Sequence, residues 1–437
     1  MTIIKLLGGL GLFIYGMKLM GDGLENAAGE GLKKILEKVT KNPIIAVVVG
    51  AIVTMVIQSS SATTVMVVGF VNAGLMNLAQ AAGIIMGANI GTTITAQLVA
   101  FKLDTIAPIF VFVGAMMVMF VKGKKRREIG NIILGFGILF VGMGTMSGAM
   151  KPLTSLPVFQ EILTTVGQHW YLGIIAGAVI TAVLQSSSAT TGILVALATA
   201  GAIDIKMALP IIFGCNIGTC VTAMLATIGT NKTAHRAAML HFIFNVAGTV
   251  IFLPFLLTGW LGDLVSYFSD NVTRQIANSH TIFNIVNTLI MVPLIPVLCK
   301  IVEKIIPGED DEKVGPKYID DRLLETPVIA AGQVVKETLR MANKAKTSLE
   351  LAMTAFMKND ESTAQKVYEN EEVINNLEEC ITTYLVKLSK CELSDKEKNI
   401  VASTFHIVND IERIGDHANN IATVKEKPNH KIHAELC

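Results

Sequence analysis

Over its first 300 residues the chain alternates long apolar runs with short polar breaks, the runs falling at roughly 3–20, 43–57, 62–76, 78–100, 105–121, 129–148, 170–184, 189–203, 206–227, 237–257 and 279–300. A helix that crosses a bilayer needs about 20 such residues, and several of these runs are shorter. The short ones come in pairs, 43–57 with 62–76 and 170–184 with 189–203, each pair flanking a polar tip. That pattern predicts hairpins of two half-helices that enter a membrane without crossing it. After Pro307 the pattern changes. Gly308 to Pro316 is a charged linker, and amphipathic stretches follow at about 326–357, 361–390 and 394–425, separated by turn signals at Lys358-Asn359-Asp360 and Cys391 to Asp395. They predict a three-helix bundle too polar to be embedded. The expected fold is therefore all-α, a polytopic membrane protein followed by a helical bundle.

The two polar tips are the same words. Gln58-Ser59-Ser60-Ser61-Ala62-Thr63-Thr64 recurs as Gln185-Ser186-Ser187-Ser188-Ala189-Thr190-Thr191, 127 positions later. At the same interval Gly87-Ala88-Asn89-Ile90-Gly91-Thr92 returns as Gly214-Cys215-Asn216-Ile217-Gly218-Thr219, and Gly74 returns as Gly201. Gly11, Gly16 and Met17 match Gly137, Gly142 and Met143 at an offset of 126. Each half reads as helix, hairpin, helix, helix. The domains expected are a first membrane repeat at 1–128, a second at 129–307 with an extra terminal helix, a linker at 308–325 and the bundle at 326–437.

Composition agrees with a membrane class: 51% of residues are hydrophobic and 16% charged. The net charge of +1 conceals an uneven split, with 18 Lys/Arg against 10 Asp/Glu up to Lys300 and 18 against 25 thereafter. The short basic segment Lys122 to Arg127 is expected in the cytoplasm by the positive-inside bias. Counting outward puts Lys232, His235 and Arg236 inside, Asp263 and Asp270 outside, and the acidic tail inside. The same count gives each repeat three crossings, which inverts one repeat relative to the other and leaves the amino terminus external. Met1 to Leu19 lacks a basic start and a cleavage site, and reads as the first membrane helix. The six cysteines (Cys215, Cys220, Cys299, Cys380, Cys391, Cys437) show no CxxC spacing and read as reduced thiols.

Seven consecutive polar or small residues at membrane depth are costly unless they face a solute or one another. Close helix packing accounts for one such run; two identical runs, each followed by the same GxNIGT, point to a shared site. Neither run contains His or Lys to activate a serine nucleophile. A broken helix exposes N–H groups at the start of its second arm, which favour an anion, and carbonyls at the end of its first, which favour a cation. Two opposed tips would add the hydroxyls and amides of Gln58, Ser59, Ser60, Ser61, Gln185, Ser186, Ser187 and Ser188, a set suited to a small oxyanion. With no acid, base or histidine in either tip, Na+ is expected as the coupling ion rather than H+. Asn89 and Asn216 are expected to brace or join the site. A further echo, His241 with Asn245 and His280 with Asn284, puts His and Asn on one helix face. Interhelical hydrogen bonding is its expected role, with ion contact the alternative.

On these residues the first 300 positions resemble the type II sodium–phosphate cotransporter family, bacterial branch. The resemblance implies Na+-coupled symport of inorganic phosphate by alternating access across the cell inner membrane, with no enzymatic activity, organic cofactor or nucleic-acid partner. It places Gln58 to Ser61, Gln185 to Ser188, Asn89 and Asn216 on phosphate. It puts Ser61, Thr63, Thr64, Ser188, Thr190 and Thr191 on sodium. A passive phosphate channel or exporter is the alternative, and a membrane enzyme acting on phosphate esters lacks a paired acid and base. Asn409 to His417 resembles a PhoU-type bundle, which implies a cytoplasmic regulatory role, a homodimer that supplies a second three-helix unit, and metal binding through Glu412 and Asp416. In the preceding helix Asn375 stands where a second acid is expected.

Overall fold

The structure, a computed structural model, describes residues 2–28, 42–101, 103, 105–308 and 315–423, and all regular structure among them is helical. Cys437, the last two residues of the third tail stretch and most of the charged linker lie outside the described residues. The chain divides into two compact units, one of residues 1–71 and 76–309 and one of residues 72–75 and 310–437.

The apolar unit begins with α1 (Thr2–Ala28), the pair α2 (Pro43–Ile57) and α3 (Ser60–Asn72), α4 (Leu78–Val99) and α5 (Ala107–Phe120). It continues with α6 (Lys124–Leu153), α7 (Pro157–Gln168), the pair α8 (Trp170–Leu184) and α9 (Ser187–Thr199), and α10 (Ile205–Gly218) with α11 (Cys220–Leu225). It ends with α12 (Lys232–Leu257), α13 (Trp260–Phe268), α14 (Val272–Met291) and α15 (Ile295–Ile305). Among the described residues, six stretches are long and apolar enough to cross a membrane: α1, α4, α6, α10 with α11, α12, and α14 with α15. The pair α7 and α8, bent by 112°, makes a seventh if taken as one span. Two elements have no counterpart in the apolar pattern, the amphipathic helices α7 and α13. The run at 105–121, counted as a crossing, forms the 14-residue α5, which at 1.5 Å per residue falls short of a hydrocarbon core about 30 Å thick.

Local chemistry repeats as the sequence does. Asn77 caps α4 by accepting from the Gln80 N–H at 2.9 Å, and Asp204, 127 positions on, caps α10 by accepting from Met207 N–H at 2.9 Å. The second arms end at glycines in the left-handed region, Gly74 (φ 67°) and Gly201 (φ 74°). Packing repeats too. A Cβ on Gly87 would lie 2.0 Å from the Val47 carbonyl oxygen, and one on Gly214 would lie 2.0 Å from that of Ile174. The GxNIG glycines thus let α4 and α10 lie backbone to backbone against the first arms α2 and α8.

Helices α1 and α6, equivalent in the repeat, pack on each other antiparallel. Gly9 meets Gly142 and Met146, Gly16 meets Gly135 and Leu139, and Gly23 meets Glu128 and Ile132. The offset of 126 carries Gly9 to Gly135 and Gly16 to Gly142, so the contact of Gly9 with Gly142 maps onto that of Gly135 with Gly16. Outward faces of the unit are apolar, with Ile44, Val48 and Ile52 on α2, Ile109 and Phe112 on α5, and Ile175, Val179 and Val183 on α8 all exposed. Such a surface suits hydrocarbon.

The polar unit is a three-helix bundle of α16 (Pro327–Lys358), α17 (Glu361–Ser389) and α18 (Asp395–Thr423). Val334, Met341, Ile374, Leu377, Ile381, Leu385 and Val408 fill its core. Its first turn is the one signalled by Lys358-Asn359-Asp360: Asn359 takes the left-handed conformation (φ 54°) and Asp360 caps α17. Glu337, fully buried, accepts from the Lys317 N–H at 2.7 Å and the Ile319 N–H at 3.3 Å and pairs with Arg340 at 2.6 Å. This clasp fixes the segment before α16 and left no periodic trace in the sequence.

Candidate functional site

Each tip is a two-residue break, Gln58-Ser59 and Gln185-Ser186, held open by its own side chains. Gln58 (φ 60°, ψ 19°) and Gln185 (φ 52°, ψ 27°) end the first arms in the left-handed region, which glutamine seldom adopts. Ser59 and Ser186 then start the second arms, their hydroxyl oxygens accepting from Ala62 N–H at 3.1 Å and Ala189 N–H at 3.2 Å. Thr63 and Thr190 donate back to the Ser59 and Ser186 carbonyls at 3.1 and 3.2 Å. Across each hairpin Thr54 donates to Thr63 and Thr181 to Thr190, both at 2.9 Å. Ser60, Ser61, Ser187 and Ser188 thus sit in the first turns of helices, where backbone N–H groups have no acceptor within the helix.

The structure brings the two tips together. The Ser61 hydroxyl donates to the Gln185 carbonyl at 3.2 Å, joining residues 124 positions apart. Ser60, Ser187 and Ser188 are buried, as are all four threonines named for sodium. No Asp, Glu, Lys, Arg or His occurs in α2, α3, α8 or α9, so charge at the tips comes from backbone dipoles. Thr63 and Thr190 are engaged within their hairpins. Thr64 and Thr191, buried at 2% and 1% exposure, have hydroxyls without a protein partner. A buried unpaired hydroxyl asks for a ligand or a water.

Asn89 and Asn216 make interhelical bonds. The Asn89 amide donates to Asn245 Oδ1 at 2.8 Å, and Asn216 Oδ1 pairs with His280 Nε2 at 3.2 Å. Asn245 and Asn284 each donate to the carbonyl of the histidine four residues earlier, at 3.1 and 2.9 Å. The His–Asn elements thereby hold α4 and α10 in place, while the Asn216 Nδ2 is left buried without a partner. Cys215 and Cys220 are buried free thiols in the same layer.

The structure adds groups that the motifs did not flag. Thr95 donates to Gln58 Oε1 at 2.8 Å; its repeat mate, Thr222, has a buried hydroxyl with no partner. Both follow the repeated GxNIGT, and the offset of 127 that links the tips also links them. Arg274 on α14 lies 4.0 Å over the Phe101 ring and reaches Gln97 Oε1 at 3.4 Å, and Gln97 donates to Thr281 at 2.9 Å.

In the polar unit Glu412 and Asp416 share a face, and among the described residues no three His, Cys, Asp or Glu side chains come together to hold a metal ion. Desolvation raises the Glu412 carboxyl above its ordinary value, with Asp416, Glu378 and Glu371 adding to it and Arg413 opposing.

Family profiles and known proteins match this sequence. Two consecutive copies of the family profile described as Na+/Pi-cotransporter match residues 12–148 and 149–288, and that of the PhoU domain matches residues 338–424. An Escherichia coli K12 protein, provisionally named inorganic phosphate export protein YjbB, is 27% identical over 429 residues, covering 95% of this chain and 76% of its own. A Bacillus subtilis protein, the uncharacterized YqeW, is 32% identical over 298 residues, 68% of this chain and 96% of its own. The rat sodium-dependent phosphate transport protein 2A is 23% identical over 382 residues, 57% of this chain and 60% of its own. No solved structure matches.

Proposed function

Because the chain belongs to the Na+/Pi-cotransporter family and carries a PhoU domain, we propose that it moves inorganic phosphate outward across a membrane through one site shared by the two hairpin tips. The observation that carries this reading is the contact of Ser61 with the Gln185 carbonyl, which joins the repeats in a hydroxyl-rich, charge-free place. Phosphate has four oxygens that accept hydrogen bonds. The first-turn N–H groups of α3 and α9 and the hydroxyls of Ser60, Ser61, Ser187 and Ser188 donate to them, with helix dipoles offsetting the negative charge. Outward direction rests on the relatives. Those named for phosphate export match 95% of this chain, whereas those named for sodium-dependent transport match 57–58%.

The second reading is Na+-coupled symport. It is favoured by the family's description, by the absence of any Asp, Glu, Lys, Arg or His in both hairpins, and by the unpaired hydroxyls of Thr64 and Thr191, which supply oxygen ligands at equivalent places in each repeat.

In either reading access alternates between two sides, and the repeats are inverted. Antiparallel packing of α1 on α6, with contacts that interchange under the repeat offset, supports the inversion. The pairs α2–α3 and α8–α9 are then re-entrant hairpins entering from opposite faces, and the PhoU domain serves as a cytoplasmic regulator.

The test is phosphate binding by the purified protein. Ser60→Ala and Ser187→Ala should each weaken it by about tenfold or more, the worth of a hydrogen bond to a charged group, with unchanged helical content. Wild-type affinity in either folded variant overturns the shared site.

A further inference from the structure

The two repeats match in nearly every bond around their tips. Thr54–Thr63 matches Thr181–Thr190, the Ser59 cap matches the Ser186 cap, and the Gly87 and Gly91 contacts match those of Gly214 and Gly218. Besides the Ser61 hydroxyl donating to the Gln185 carbonyl, which joins the tips from one side, they differ in how the tip glutamine is held. In the first repeat the Gln58 side chain is buried, held by the Thr95 hydroxyl at 2.8 Å and itself donating to the Met55 carbonyl. In the second repeat Gln185 is exposed, and the hydroxyl of Thr222 is buried without a partner.

The helices that carry the two threonines follow the same course. Helix α4 runs unbroken from Leu78 to Val99, through Gly91, Thr92 and on to Thr95. The equivalent stretch, α10 and α11, continues through Thr219, which keeps right-handed helical angles (φ −62°, ψ −23°), and carries Thr222 on α11. One repeat thus has a fastened glutamine and the other a loose one, behind helices that follow the same course. The residues needed for both arrangements are present in both repeats.

We propose that Thr95 and Thr222 are positioning residues that take turns fastening the tip glutamine of their own repeat. The Gln58–Thr95 bond and a matching Gln185–Thr222 bond are formed in opposite states of one conformational exchange. Fastening draws the glutamine off the tip; release presents it at the tip. A buried hydroxyl left unpaired is costly, so the open repeat has a driving force to fasten, and release of the other tip restores the balance. This deepens the alternating-access reading above and rests on it for its place in transport, although the exchange itself is measurable without any flux.

Hydrogen–deuterium exchange of the full chain in lipid nanodiscs tests it. Thr95→Val removes the bond that exists, so amides at 58–62 should exchange about fivefold faster, from the loss of one hydrogen bond. If the tips are coupled, amides at 185–189 slow as their repeat fastens. Thr222→Val should do the reverse at both tips, the double variant should return towards wild type, and Thr95→Ser should behave as wild type. A change confined to 58–62 in Thr95→Val, or a silent Thr222→Val, overturns the proposal. Opposed shifts in a protein that binds no phosphate would leave the exchange standing and remove the transport reading instead.

Discussion

Thr63 and Thr64 are neighbours with opposite duties, and so are Thr190 and Thr191. The first of each pair accepts from a threonine on the facing arm and donates to the serine carbonyl four residues back. The second is buried and unpaired. Replacing Thr63 or Thr190 by Val breaks the tie across a hairpin and should destabilise the protein by about 1 kcal/mol, from the usual net worth of a buried hydrogen bond. Replacing Thr64 or Thr191 by Val should leave thermal stability unchanged or raised, and should weaken any Na+-dependent stabilisation. Comparing thermal unfolding with and without Na+ checks both; equal loss of stability in all four variants contradicts the division of roles. A pH-dependent case lies in the polar unit. Hydrogen bonds from the Thr363 and Ser362 hydroxyls, and from their N–H groups, bring the Asp360 carboxyl from 3.8 down to about 2. A depressed carboxylate contributes stability above its unfolded value and loses it as pH falls through the folded one. The start of α17 should therefore loosen between pH 3.8 and about 2. Asp360→Asn keeps a capping oxygen and should flatten that dependence, read from amide exchange at Ser362 and Thr363.

At the scale of elements, glycine decides how closely helices approach. Gly87 and Gly214 face carbonyl oxygens that a Cβ would meet at 2.0 Å, and backbone cannot swing aside as a side chain can. Gly87→Ala and Gly214→Ala should each separate a GxNIG helix from its hairpin arm, at the 1–3 kcal/mol or more typical of overpacking. Gly148→Ala, where nothing lies within 4 Å, should be tolerated. Yields of monodisperse protein from the three variants check this. The helices themselves were legible because membrane segments announce themselves by apolar run length. Both tips were legible because polar residues there break the run. Helices α7 and α13 were not, since a short amphipathic helix differs little in composition from a loop. The bonds of Asn89 to Asn245 and Thr95 to Gln58 were also invisible: they join residues 156 and 37 apart, and no local period encodes which partner a buried amide will find. The repeat supplied the only available hint, since Thr95 and Thr222 share the interval of the tips.

The whole molecule joins a duplicated apolar unit to a bundle of a different physical kind. The charge split at Lys300 and the change of pattern after Pro307 marked that junction in the sequence. Arg236 ties the apolar unit to a point one residue past Pro307, since its guanidinium donates to the Ile306 carbonyl at 3.0 and 2.9 Å and also to that of Gly308. A truncation after Gly308 keeps this anchor and should still bind phosphate with wild-type affinity, while altering how flux responds to phosphate; lost binding in a folded truncation contradicts a purely regulatory bundle. The central claim, that two joined hairpin tips form one phosphate pathway, is tested most directly by radiolabelled phosphate flux in proteoliposomes. Phosphate-loaded vesicles holding wild-type protein or Ser60→Ala/Ser187→Ala would be compared with and without a Na+ gradient, K+ replacing Na+ in the control. The account predicts release by the wild type down the phosphate gradient and its loss in the double variant. Flux that appears only with a Na+ gradient would select coupled symport through the same site. Wild-type flux that survives the double substitution would contradict the account.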